Sequence, residues 1–175
     1  RTDYGMNAGD VICHPHDIGL WPSHCSNGSC GPASAIDSAT AAAKGQQAAN
    51  FGANGIVYPL SMVTGAAVRD GLSSTYMIGE KYLNPDSYRT GSDAGDNENM
   101  YIGFNEDSVR WTYLPPMRDQ AGVGNSRNFG SVHAAGFNVV MCDGSIHTIN
   151  YSIDAVVHGH LGVRNDGQAV DVGSL

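Results

Sequence analysis

The chain has 175 residues, one domain's worth at roughly 100–200 residues per domain, and 41% of them are hydrophobic. Acidic residues outnumber basic ones 17 to 9, for a formal net charge of −8 with no Lys/Arg run. With no basic patch to release counterions, nucleic-acid binding is excluded as a function class. No apolar run approaches the roughly 20 residues of a membrane-spanning helix.

The acids are 14 Asp against 3 Glu, with 13 Asn beside them, and Gly and Pro number 23 and 7. Asp and Asn hydrogen-bond their own backbone and favour turns over helix interiors, so the composition predicts a loop-rich β protein. Low Lys and Glu with abundant Gly, Ser and Asn reads as an exported, surface-exposed chain. It opens on Arg1-Thr2-Asp3 without a charged leader and apolar stretch, which implies a removed leader or a truncated chain.

In chain order, residues 1–32 form a polar, irregular segment rich in Cys and His. An Ala-rich helix is predicted over 33–50, with Ser34 and Asp37 as candidate caps. The β part spans 55–175. Short strands are predicted at Ile56–Tyr58, Ala66–Arg69 and Thr75–Lys81, with Asp70-Gly71 as a turn. A polar loop covers 84–99, then strands resume at Met100–Phe104 and Val109–Tyr113 until Pro115-Pro116 stops pairing. The strongest local signal is the stretch 138–149, where two alternating apolar runs flank Asp143-Gly144. That pair predicts a hairpin with a two-residue type I′ turn. A short helix over Ile153–Leu161, capped by Ser152 or Asp154, follows, and residues 162–175 read as loop or edge strand. The architecture is one α+β domain over 1–175, mainly antiparallel β.

The segment from Phe129 to Ile149 has nine residues separating His133 from Asp143-Gly144. It resembles the C-terminal signature of a planctomycete-type, prepilin-like bacterial family, domain of unknown function 1559. The stretch from Asp70 to Glu80-Lys81 is similar to the family's DG-S-T-GEK segment. Arg1 to Asp10 and Leu161 to Gln168 resemble its start and ending. The resemblance implies a pilin- or pseudopilin-like head that lacks the N-terminal stalk helix. It implies prepilin-type processing, display at the cell surface, and self-association or contact with other pilin-like subunits in a filament. Membrane contact would run only through the missing helix. No catalytic chemistry is implied.

Several residue groups are candidate sites. Glu80, His133 and Asp143, with Gly144, are either a ligand or metal site at one end of the sheet or local turn, cap and hydrogen-bonding residues. Cys13, Cys25, Cys30 and Cys142 are an even set in an exported chain and read first as two disulfides. Cys25–Cys30 would leave Cys13 with Cys142, although three pairings exist. The same opening offers His14, His16 and His24 as zinc or copper ligands. Asp93, Asp96 and Asp166, in acidic loops, offer oxygens for calcium, which pseudopilins resembling this chain use to pin loops. Trp111, Tyr113 and Tyr101, or Trp21, could stack on a glycan. No nucleophile elbow, zinc-protease helix or P-loop occurs, so the chain is read as non-enzymatic. The alternative is an extracellular module that binds metal or glycan.

Overall fold

Apolar alternation in the last third of the chain sets the frame. The computed structural model describes residues 2–11, 38–99, 101 and 103–174. Cys13, Cys25, Cys30, His14, His16, His24, Trp21 and the candidate caps Ser34 and Asp37 lie outside the described residues. Seven strands and two α-helices occur among those described: β1 Tyr4–Asn7, α1 Ser38–Asn50, β2 Tyr76–Glu80, β3 Val109–Arg110, β4 Met117–Arg118, β5 Gly130–Ser131, β6 Gly136–Met141, β7 Ile146–Asn150 and α2 Ala155–Gly162. Five of the strands form a sheet in the order β3-β1-β2-β6-β7. Its neighbours are antiparallel except β1 and β3, and β4 with β5 makes a separate parallel pair. The fold is α+β and mainly antiparallel.

One face of the sheet makes the core. Tyr76, Phe137, Val139, Met141 and Ile149 point inward and pack with Phe129 from β5's approach and Leu161 from α2. Gly79 is required by this packing, because a Cβ there would stand 2.8 Å from the Phe129 ring. Asp154 caps α2 by accepting from the Val156 and Val157 N–H groups. Ser152 instead turns its hydroxyl and N–H to Asn150. Thus α2 is directed across the core face of the sheet.

Local hydrogen bonds explain where the predicted elements fail. Ala66–Arg69 is not a strand; Gly65–Ala67 is a 3-10 turn. The Arg69 and Asp70 N–H groups both go to the Arg164 carbonyl and leave no ladder to form. Ile56–Tyr58 is irregular and reaches β1 through the single bond from Val57 N–H to the Asn7 carbonyl. Around Met100–Phe104 the described residues are turn and bend, because Asn99 and Asn105 side chains capture the Tyr101 and Asp107 N–H groups. The strand at Val109 stops after Arg110, since Trp111 and Thr112 donate to Arg127 and Gly9 in place of one partner. Among the described residues the tail forms no edge strand, and Val172–Ser174 is a 3-10 turn.

The hairpin lies where predicted, but its turn differs. Gly144 N–H donates to the Met141 carbonyl and Met141 N–H to the Ser145 carbonyl, each at 2.9 Å. Only Gly144 has positive φ, at 88°, while Asp143 does not. This is a type I turn closed by a left-handed glycine, the three-residue alternative to the primed turn.

His158 on α2 is fully buried among Tyr76, Phe129 and Phe137. Its Nε2 has no hydrogen-bond partner, and Nδ1 lies 3.5 Å from the Tyr76 hydroxyl. Burial pushes its pKa down to about 4. The unfolded chain therefore takes up a proton near pH 6.5 that the fold accepts only near 4. Stability is full above about pH 6.5 and falls by about 1.4 kcal/mol per pH unit from this group as pH drops towards 4. Urea titrations across that window should show this loss in the native chain and a slope smaller by about one proton in His158→Leu.

Candidate functional site

Consecutive extended residues point to opposite faces, so Glu80, the last residue of β2, and Lys81, bridged to Phe129 just after it, serve two different environments. Lys81 turns inward, its side chain wholly buried. Its Nζ donates to the Gly95 carbonyl at 2.7 Å, the Asp107 carbonyl at 2.8 Å and Asp96 Oδ1 at 3.2 Å. Three donors meet three acceptors, as a buried ammonium requires. Desolvation, then the nearby Arg110 cation, lowers the Lys81 pKa, and Asp96 opposes this. The two carbonyls belong to the loop between η-turn Pro85–Ser87 and β3, so Lys81 fastens that loop to the sheet.

Arg110 is the second buried cation, fully enclosed. It donates to the carbonyls of Val109, at 2.7 Å, and Glu106. Burial pushes its pKa down to about 10 against the pull of Asp93, Glu106, Asp107 and Asp96. Asp93 itself accepts from Asn84 and Gly95 N–H, both at 2.8 Å. The acidic loop thus surrounds two cations from the sheet.

Glu80 turns outward. Its Oε2 accepts from Asn138 N–H at 2.7 Å and its Oε1 lies 3.2 Å from His133 Nε2. The Ser131 hydroxyl accepts from His133 N–H and faces Tyr151 and Gly136. Ser131 and His133 therefore do not share a ring-to-hydroxyl bond. A cleft of about 380 Å³ opens here, lined by Asp3, Glu80, Lys81, Asp96, Asp119 and His133, with Tyr88 at its wall. Asp119 accepts from Leu83 N–H at 3.0 Å and from the Tyr88 hydroxyl. Desolvation raises the pKa of both Asp119 and Tyr88.

The structure brings Glu80 and His133 together and leaves Asp143 apart. Asp143 Oδ1 accepts from the Ser145 N–H and hydroxyl inside the hairpin turn, bonds that lower its pKa. Cys142, on the same turn, is a free thiol 3.7 Å from the Tyr76 carbonyl. Burial and then Asp143 push its pKa up to about 11. Asp166 pairs with His160 at 2.7 Å, and its N–H joins that of Gly167 on the Asp70 carboxylate. Asp93, Asp96 and Asp166 do not gather into one oxygen cage, and among the described residues no group of three or more His, Cys, Asp or Glu has metal-holding geometry. The glycan platform is not formed as predicted: Trp111 is fully buried against Val109, Ala8 and Phe104, while Tyr101 is 87% exposed and off any strand.

Sequence reasoning missed Asp119, Asp3, Tyr88 and Arg110. Arg110 had a signal, a cation set between Val109 and Trp111 in an apolar strand; the others had none, since they join the cleft from separate loops.

The family model described as Protein of unknown function (DUF1559) matches residues 16–156. That span contains Glu80, Lys81, His133, Asp143 and Gly144, but neither 1–10 nor 161–168. No curated protein and no solved structure matches the chain. Among the described residues no helix is long and apolar enough to cross a membrane.

The two motif neighbours differ sharply in burial, which separates their energetics. Lys81→Met removes the ammonium held between the Asp96 carboxylate and two carbonyls and should cost about 3–5 kcal/mol. His133→Ala, whose side chain is 57% exposed, should cost less than about 1 kcal/mol. Denaturant midpoints with an unchanged slope measure both; equal costs would contradict the buried-ammonium account.

Proposed function

Because the chain belongs to the DUF1559 family, we propose that it is a pilin- or pseudopilin-like structural or assembly protein displayed at the cell surface, and not an enzyme. One observation carries this: the family-like motif residues spend their polar atoms on the fold itself. Lys81 gives all three donors to the acidic loop. Glu80 uses both oxygens, on Asn138 N–H and His133, and Asp143 serves its own turn. A catalytic group needs a free atom within hydrogen-bond reach of a reacting proton; Lys81 has none to offer, and both Glu80 oxygens are already engaged.

The sheet supports the same reading, for a rigid head with varied loops suits packing between subunits. The cleft beside Glu80 is what favours the second reading, an extracellular ligand-binding module.

The test is electron microscopy of the chain expressed from its full gene in its own host, with fractionation of the cell surface. Filaments or surface assemblies that carry the protein are expected, together with a prepilin cleavage site and hydrophobic helix encoded upstream of Arg1. A plain secretory leader and a monomer that stays dispersed would overturn the assembly reading and favour ligand binding.

A further inference from the structure

The face of the sheet opposite the core carries two cross-strand rows. Met6 is paired with Ile78, Ile78 with Val140 and Val140 with Ile146. Four apolar side chains thus run across β1, β2, β6 and β7. Two residues along each strand, roughly 7 Å away on the same face, lies a polar row. Tyr4 stands opposite Glu80 there and Asn138 opposite Thr148, and the Asn138 N–H bond to Glu80 joins the halves. Ile146 is 73% exposed and Met6 37%, so the apolar row is open to solvent at both strands that end it.

Charge selects what such a face can take. Glu80 in the polar row also lines the cleft, with the carboxylates of Asp3, Asp96 and Asp119. The one lysine there, Lys81, is buried and fully committed. His133, at the rim, already pairs with Glu80. A second copy of this chain would bring the same carboxylates and the same net charge of −8 against them, a like-charge juxtaposition that disfavours docking.

We propose that this outer face docks a basic amphipathic segment of a partner protein. Its apolar residues cover the Met6, Ile78, Val140 and Ile146 row, and a Lys or Arg side chain enters the cleft beside Glu80. The inference stands on the sheet geometry and holds whether or not the chain builds filaments.

The probe is a fluorescent amphipathic peptide made only of Leu and Lys, with a Leu and Glu peptide of equal length as control. Anisotropy titrations should show binding of the Lys peptide alone, weakening as salt is raised. Ile146→Asp should weaken it by about tenfold or more, the effect of losing most of one buried Ile contact. Asp3→Asn should reduce the salt dependence, while Val156→Asp, at a 65% exposed position on α2, should change nothing. Equal binding of both peptides, binding of neither, or equal effects of Ile146→Asp and Val156→Asp would overturn the proposal. Sedimentation showing self-association lost in Ile146→Asp would overturn it too, and would name a second copy as the occupant.

Discussion

An ammonium taken out of water must meet an acceptor with each of its three donors, or the fold loses several kcal/mol. Lys81 meets that demand with two carbonyls and one carboxylate, all from an irregular loop more than ten residues away in sequence. The constraint runs in both directions. The loop has no regular ladder to hold it, and the cation has no solvent. Each fixes the other, and the end of β2 becomes the point where sheet and loop are joined. Arg110, enclosed beside it, extends the same device to β3.

That junction also explains the division of labour in the Glu80-Lys81 pair. Strand alternation sends one side chain into the loop and the other to the outer face. Glu80 there stands in for a ladder carbonyl by accepting from Asn138 N–H, just beyond the Gly79–Val139 pair of the β2–β6 ladder. His133 is drawn to the remaining oxygen. Glu80 and His133 thus help to hold the sheet and also line an acidic cleft.

How much could be read beforehand depended on how local the determinants were. The hairpin at 138–149 and α2 were legible, because alternation and an Asp cap act within a few residues. The turn type was not, since Asp143-Gly144 serves both a primed turn and a type I turn closed by glycine, and only the strand register chooses. The strand expected at Ala66–Arg69 failed because a distant carbonyl took N–H groups a ladder needs, and the Tyr101 N–H went to the Asn99 side chain. In the site, the expected trio is split: Glu80 stands beside His133, while the Asp143 carboxylate serves its own turn. The burial of Lys81 was hard to foresee, as a cation in sequence looks like surface, and Arg110 had only its apolar flanks to mark it. Trp111 misled in the opposite sense, an aromatic that seemed fit for a ligand and serves the core.

The central claim is that Lys81 is a charged, solvent-excluded staple and not a reactive amine. Heteronuclear NMR of the lysine side chains of the intact protein tests it most directly. The account predicts an ammonium signal from Lys81 at neutral pH, with protons that exchange slowly with water and a signal absent in Lys81→Met. A neutral amine, or an ammonium exchanging as fast as that of half-buried Lys44 on α1, would contradict it.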